Sequence, residues 1–412
     1  MNDVPRTGGA AGSDAVRTRF LIDLGRALHE YGLPAHRLEA ALGQAAAKLG
    51  IRTEILSTPT SLTLSFGDPG SQHTAMSRVQ PADLQLDKVV ALDEVVQAVY
   101  RAELGVEEAV ARLEAIRTAP VRHGPVLTTL AFGVVSGTAA RFFGGGWPEM
   151  GLALVLGLLS GLLAVLAGRS VTVARVFEFT VALLATVLAH AVARQVHPLA
   201  ANLVVVAGLV ILLPGLTLTL AMNELGTGHL VSGTARLTGA LMTFFKIGLG
   251  VGLGGQLASL LPGVGVDVAA DTPAPWTLWV SLLATPAGLA VLFRARWREL
   301  AWITAGALVT FWSARLAVGQ FDVGLGSVVG ALTAGLAGNL YARLRHKPAV
   351  VVLVPSLILL VPGTIGYRSF SMLLAKDIMS GVDSAFTVML VGVSLVSGLL
   401  LANVLLPPRH EL

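Results

Sequence analysis

Residues 202–240 read NLVVVAGLVILLPGLTLTLAMNELGTGHLVSGTARLTGA, and this stretch decides how the chain folds. A mostly apolar run of about fifteen residues meets Pro214 and Gly215, and polar residues follow in apolar surroundings. A helical run of that length covers only about 20 Å, whereas a membrane span must cross about 30 Å. The pattern therefore predicts a helix that breaks inside the bilayer, because proline lacks the N–H that continues a helix.

The composition of the chain is that of a membrane protein. Of its 412 residues, 54% are hydrophobic and 13% are charged, and the mean hydropathy is +0.73. Ten apolar runs have membrane-spanning character: 125–143, 149–167, 172–193, 199–221, 237–261, 276–293, 299–317, 323–342, 349–366 and 384–406. Arginine and lysine are concentrated in alternate connections, which by the positive-inside rule predicts that both termini are cytoplasmic. We expect a multi-pass protein of the cell (inner or plasma) membrane.

The broken run is repeated in the second half of the chain. Residues 350–386 read VVVLVPSLILLVPGTIGYRSFSMLLAKDIMSGVDSAF. The Pro-Gly pair at 362–363 follows the pair at 214–215 by 148 residues, and the same offset relates the Ser-Gly pairs at 232–233 and 380–381. This offset covers five spans, an odd number, so the second copy must enter the membrane from the opposite side. Such inverted repeats recur in secondary transporters.

The polar N-terminal region predicts a separate domain. Residues 1–14 are rich in glycine and are expected to be disordered, and 15–120 combine helical periodicity with three short strand-like segments. There is no apolar signal-peptide core at the N-terminus. We therefore predict an α-helical integral membrane protein with ten transmembrane helices in a 5+5 inverted repeat, 125–262 and 275–407, preceded by a small α+β cytoplasmic domain.

Ionisable residues inside spans are costly and usually functional. The predicted pathway for substrate and protons combines such residues with the two breaks and the polar residues after them: Glu178, Pro214, Gly215, Asn223, Glu224, Ser232, Arg236, Lys246, Pro362, Gly363, Ser380 and Asp383. For Glu178 two interpretations stay open, a proton or ammonium partner and a structural ion pair with Lys246 or Arg236. Asp383 is either a cavity residue or a helix cap. The Pro-Gly pairs themselves either form a site or only kink packed helices.

Several function classes are excluded or disfavoured by the sequence. The chain has no Walker P-loop and no HExxH motif, and it contains no cysteine, so ATP hydrolysis, zinc-protease chemistry and thiol catalysis have no support. We expect neither an enzyme nor a metal or other cofactor. Because the basic residues lie in short loops between spans, the pI near 9.7 indicates membrane orientation and no nucleic-acid partner.

Residues 212–241, LLPGLTLTLAMNELGTGHLVSGTARLTGAL, and 57–65, STPTSLTLS, resemble the threonine/serine exporter family. The order of a soluble α+β domain before ten spans is also similar to that family. The residues that match its characteristic run are Pro214, Gly215, Asn223, Glu224, Gly226, Ser232, Gly233 and Arg236. The resemblance implies export of L-threonine and L-serine driven by the proton gradient.

The residue pattern and the family resemblance both predict a secondary transporter. Its expected partners are a small amino acid, protons and membrane lipids. The homo-oligomeric state is left open. One alternative is a passive channel or pore for small solutes, and another is a transporter of a different metabolite such as a carboxylate. In a third interpretation, residues 15–118 are a regulatory or binding module and the membrane part is an anchor.

Overall fold

The structure is a computed structural model that describes residues 8–68, 70–79, 84–262, 273–360, 372 and 377–408. It is predominantly helical, as the sequence predicts. The described residues form an N-terminal unit of helices and strands, residues 8–118, and a purely helical remainder, which we call the membrane part.

Four helices and a three-stranded antiparallel sheet make up the N-terminal unit. The elements are α1 (Gly8–Glu30), α2 (Ala35–Leu49), β1 (Thr53–Thr58), β2 (Ser61–Phe66), β3 (His73–Arg78), α3 (Leu86–Tyr100) and α4 (Val106–Thr118). β2 is the central strand, and its alternate residues Leu62, Leu64 and Phe66 are buried because side chains alternate between the faces of a strand. The three predicted strands are confirmed. Helix α1 begins at Gly8, inside the segment for which the sequence predicts disorder.

Helices occupy the position of each predicted apolar run in the membrane part. They are α5 (Pro125–Phe142), α6 (Trp147–Ala167), α7 (Val171–Gln195), α8 (Ala201–Gly208), α9 (Gly215–Gly226), α10 (Leu230–Ser259), α11 (Trp276–Leu292), α12 (Leu300–Gln320), α13 (Val323–Arg345), α14 (Val350–Ile358) and α15 (Ile378–Leu405). A 3₁₀ turn, Trp297–Glu299, precedes α12. Helix α10 is the longest of these, with 30 residues.

Six helical segments among the described residues are long and apolar enough to cross a membrane. They are Trp147–Ala167, Val171–Gln195, Leu230–Ser259, Trp297–Gln320, Val323–Arg345 and Met379–Leu405. Trp276–Leu292 is equally apolar in character but shorter. These segments establish a helical membrane protein.

Several helix pairs pack so closely that a glycine is required at the contact, and two of these contacts bear on the relation between the two halves of the membrane part. A Cβ atom on Gly250 of α10 would lie 2.5 Å from the carbonyl oxygen of Phe179 and 2.9 Å from the Cβ of Ala182, both on α7. A Cβ on Gly398 of α15 would lie 2.4 Å from the carbonyl oxygen of Val328 on α13. In lipid, such backbone contact replaces the hydrophobic effect as the source of packing energy.

We predict that Gly250→Ala destabilises the α7–α10 contact by about 1–3 kcal/mol, since the added methyl group has no room and the helices must separate. Gly252→Ala is the matched control, because nothing lies within 4 Å of that position on the same helix. The control should be neutral or slightly stabilising. Thermal denaturation in detergent measures both, and equal melting temperatures for the two variants would contradict the prediction.

A second prediction concerns Asp93 in α3, which is 1% exposed. Burial raises the pKa of its carboxyl group from 3.8 to about 7. The unfolded chain therefore releases this proton near pH 4, whereas the folded protein keeps it until about pH 7. The stability of the N-terminal unit should fall as the pH rises through this window, by up to about 4 kcal/mol, and should then level off.

Asp93→Asn removes the titrating group and should abolish that fall in stability. Protease resistance of the N-terminal unit in the full-length chain, followed between pH 5 and pH 8, provides the measurement. An unchanged pH dependence in the variant would show that Asp93 is not its source.

Candidate functional site

Neighbouring helices contact the chain where it is interrupted between α8 and α9. Helix α8 ends at Gly208, and α9 begins at Gly215 after Pro214. The carbonyl oxygen of Gly208 accepts a hydrogen bond from the hydroxyl group of Ser136 on α5 at 3.4 Å. The hydroxyl group of Ser160 on α6 lies 3.5 Å from the same oxygen and donates over a shorter distance, 2.8 Å, to the carbonyl of Leu156. Ser136 thus supplies a partner to a backbone acceptor that a continuous helix would have satisfied itself.

The helix before the second Pro-Gly pair is packed in a related way. Helix α14 ends at Ile358, and both Pro362 and Gly363 lie outside the described residues. Ser356, near the end of α14, is fully buried, and a Cβ on Gly306 of α12 would lie 2.8 Å from its hydroxyl oxygen. A glycine therefore allows α12 to approach the end of α14 closely.

Glu224 lies at the junction between the membrane part and the N-terminal unit, where it is completely buried. Its carboxylate accepts hydrogen bonds from the hydroxyl of Ser232, at 2.8 Å, and from Nε of Arg236, at 2.9 and 3.0 Å. It also accepts one from the backbone N–H of Ala35, at 3.0 Å, at the first residue of α2. The structure thus brings together three of the predicted pathway residues, and it places them against the N-terminal unit. A carboxylate at a helix N-terminus is favoured by the helix dipole.

Two further polar contacts cross the same junction. Nδ2 of Asn223 lies 3.1 Å from Nε2 of His36, and Nε2 of His229 lies 3.2 Å from the carboxylate of Glu39. Glu39 in turn accepts a hydrogen bond from the backbone N–H of Ser57, at 2.7 Å. Helix α2 therefore meets the membrane part through polar side chains.

Burial lowers the pKa of His36 to about 3, and nearby positive charges, Arg37 first among them, act in the same direction. His36 is thus neutral at ordinary pH, and one of its ring nitrogens accepts a hydrogen bond from the Asn223 amide. His36 and Glu39 were missed by sequence reasoning. Their partners are about 190 positions away in the chain, and no local pattern indicates such a contact.

Glu178 and Lys246 form an ion pair between α7 and α10, with 3.4 Å between the carboxylate and Nζ. Their side chains keep 24% and 35% of their surface exposed. The structure therefore favours the Lys246 pairing among the partners considered for Glu178. The positions 148 or 149 residues later hold Ser327 and Ser394, so the second half carries no equivalent charge pair.

Ser380 and Asp383 lie in the first turns of α15. The backbone N–H of Ser380 donates to the carboxylate of Asp377 at 3.3 Å, which identifies Asp377 as the helix cap. Asp383 is exposed. Since α9 meets α15 at Val396, which a Cβ on Gly226 would approach to 3.0 Å, Asp383 is separated from that contact by about 20 Å along the helix. The structure does not bring Asp383 together with Glu224.

A buried carboxylate that sequence reasoning missed is Glu299, which is 1% exposed. It accepts a hydrogen bond from the hydroxyl of Tyr341 at 2.5 Å and pairs with Lys347. These three residues tie the start of α12 to the end of α13. Their role is structural, because the Glu299 carboxylate finds its hydrogen-bond and ion-pair partners within the protein. Within the described part of the chain, no group of three or more histidine, aspartate or glutamate side chains is arranged to hold a metal ion.

Lys246→Met should destabilise the membrane part by about 1–2 kcal/mol, because it leaves the carboxylate of Glu178 without its partner. In the double variant Glu178→Gln/Lys246→Met both charges are absent, and most of the lost stability should return. Thermal denaturation of the parent, both single variants and the double variant gives the coupling energy. Additive effects would contradict a direct interaction.

Comparison with known proteins agrees with the architecture. A family model described as a putative threonine/serine exporter matches residues 19–258, and a second, described as a threonine/serine exporter, matches residues 277–405. No solved structure is significantly similar to the chain.

Several similar proteins come from yeasts and are called "Pheromone-regulated membrane protein 10". The protein of Kluyveromyces lactis is 28% identical over 382 residues, which cover 90% of this chain and 39% of the relative. The protein of Debaryomyces hansenii is 28% identical, and that of Eremothecium gossypii is 26% identical. Both alignments cover 90% of this chain, and they cover 37% and 50% of the two relatives, respectively. This chain thus spans between about a third and a half of the length of these relatives. With family matches over nearly its whole length, the chain belongs to the threonine/serine exporter family.

Proposed function

We propose that the protein is a secondary transporter that exports L-threonine and L-serine across the cell membrane in exchange for protons. In this proposal the membrane part has ten spans in a 5+5 inverted repeat, and the N-terminal unit and both termini lie in the cytoplasm. Family membership supports transport of hydroxy amino acids, and the arrangement of the helices supports the mechanism.

The two close helix contacts support the repeat. Gly250 and Gly398 are 148 residues apart, and the alanines that they meet, Ala182 and Ala331, are 149 residues apart. In each half the third helix packs in parallel on the fifth, and the glycine faces a carbonyl oxygen and an alanine in the same order along the chain. Two copies of one fold with an odd number of spans would produce this correspondence.

The interrupted helix α8–α9 is the observation that carries the proposal. The first turn of α9, which begins at Gly215, has a positive dipole end that favours a carboxylate, although the N–H of Gly215 itself donates to the carbonyl of Leu213 at 2.7 Å. Backbone carbonyl groups at a helix break favour an ammonium group, which at Gly208 would replace the hydroxyl group of Ser136. An amino-acid zwitterion supplies both charges. We therefore propose that the substrate binds at Pro214-Gly215 and at the equivalent pair at 362–363.

For proton coupling we propose Glu178. Its carboxylate is partly exposed and lies 3.4 Å from Lys246, so binding a proton would break the ion pair and free the ammonium group. Glu224 is a weaker candidate, because it has no exposed surface and its carboxylate is held by four hydrogen bonds. Ser380 and Asp383 are proposed to face the pathway at the opposite end of the membrane part.

A passive pore, or a carrier of another metabolite such as a carboxylate, is the competing function. Counterflow in proteoliposomes, with a panel of labelled amino acids and carboxylates, separates these possibilities. Saturable exchange of threonine and serine, accelerated by a pH gradient, is expected. Non-saturating flux that does not depend on the pH gradient would identify a pore. Exchange of carboxylates alone would show that the substrate is a carboxylate and not threonine or serine.

Glu178→Gln should reduce the acceleration of threonine transport by a pH gradient at least tenfold. Threonine–threonine exchange should continue, because exchange needs no net proton movement. Glu178→Asp, which keeps a titratable group, is the matched control and should retain the response to pH. A glutamine variant with a full response to the pH gradient would remove Glu178 from the proton path.

A further inference from the structure

The N-terminal unit contacts the membrane part at two places of different character. The first, which we call the anchor, joins Leu86 and Glu94 of α3 to residues 293–297, between α11 and α12. The backbone N–H of Leu86 donates to the carbonyl oxygen of Phe293 at 2.9 Å, and Arg296 pairs with Glu94 at 2.6 Å. Around it, one apolar cluster runs without interruption from α3 into Ala295 and other buried residues of the second half.

The second place, which we call the joint, connects α2 to the hairpin of α9 and α10 in the first half. Its polar contacts are the Ala35 N–H to Glu224, the Asn223–His36 contact and the His229–Glu39 contact. Among the described residues, the apolar cluster reaches this side only through the partly buried Leu216 of α9. Polar contacts of this kind can be exchanged for contacts with water, whereas the apolar cluster at the anchor cannot. The joint is therefore the contact that separates at lower cost.

Opening the joint leaves no buried charge without a partner. Glu224 keeps the hydrogen bonds from Ser232 and Arg236, because all three residues belong to the same hairpin. The contacts that would be lost are the hydrogen bond from the Ala35 N–H and the two side-chain contacts to His36 and Glu39. The carboxylate is thus positioned for an attachment that can be made and broken repeatedly.

The anchor and the joint lie on different halves of the membrane part, so the N-terminal unit bridges the two halves on one face. In transporters built from inverted repeats, access alternates when one half moves against the other. A bridge that stays closed would hold that face shut.

We propose that the N-terminal unit is the gate of the face on which it lies. It stays attached to the second half through the anchor, and the joint must open in each transport cycle. Glu224, Asn223, Ser232 and Arg236 are then positioning residues of this gate, and they do not contact the substrate. The proposal rests on the transport function proposed above.

The chain contains no cysteine, so pairs of cysteines can be introduced without removing any. His36→Cys with Asn223→Cys places a pair across the joint, and Glu94→Cys with Arg296→Cys places a matched control pair across the anchor. Each full-length variant is reconstituted and treated with a short bis-methanethiosulfonate crosslinker, which a reductant removes. Threonine counterflow is measured before treatment, after treatment and after reduction.

Crosslinking the joint should slow counterflow at least tenfold, and reduction should restore it. Crosslinking the anchor should change the rate by less than twofold. The gate proposal would be wrong if the protein crosslinked at the joint exchanged threonine within twofold of its untreated rate. If the untreated variants and the parent exchange no amino acid, the transport function has failed, and the joint is then judged by labelling.

The labelling experiment uses Asn223→Cys and a water-soluble maleimide. Ala35→Pro removes the N–H that Glu224 accepts, yet proline fits the first residue of a helix and follows Pro34, whose ψ of 150° is compatible with a succeeding proline. Ala35→Ser keeps the N–H and is the control. The thiol introduced by Asn223→Cys should react at least tenfold faster when combined with Ala35→Pro than when combined with Ala35→Ser. Equal rates would show that the joint is not a separable contact.

Discussion

Lipid offers no hydrogen-bond partner to an interrupted backbone, and the first half of the membrane part is arranged around this constraint. The end of α8 is met by Ser136 and Ser160, which belong to two other helices. Leu156 can approach because Gly208 has no side chain. Neighbouring helices therefore supply the polar contact that the interrupted backbone needs. The same helices that permit the break also enclose it.

The two halves of the membrane part share one kind of helix contact and differ in the charges beside it. Both use a glycine to bring their third and fifth helices into backbone contact. In the first half this pair of helices also carries Glu178 and Lys246, whereas the second half has serines at the corresponding positions. The ion pair at this helix contact is thus present only in the first half, whereas the second half has its own ion pair elsewhere, between Glu299 and Lys347. Helix packing can be similar in both halves while the charged residues differ, because packing and charge depend on different residues.

Length and periodicity were sufficient to predict the helices, the break at Pro214 and the three strands, since each depends on residues close together in the chain. The pairing of Glu178 with Lys246 was one of the open interpretations, because Glu178 is the only acidic residue of α7 and α10 carries only two basic residues, Arg236 and Lys246. The contacts of Glu224 were not predictable. Ala35 is 189 positions from Glu224 and contributes a backbone N–H, a group that every residue except proline carries. Its position is decided by how the N-terminal unit docks, which no local pattern records.

Helix α10 has a mechanical consequence because of its length. Its 30 residues extend about 45 Å, half as long again as the hydrocarbon core is thick. Gly250 holds one part of the helix against α7, and Ser232 lies about 27 Å from that fulcrum. A tilt of only about 8° around Gly250 would displace the far end by about 4 Å, more than the length of the hydrogen bond that Ala35 donates to Glu224. Because of this length, a small rotation of α10 at its contact with α7 would be enough to break a hydrogen bond near its N-terminal end.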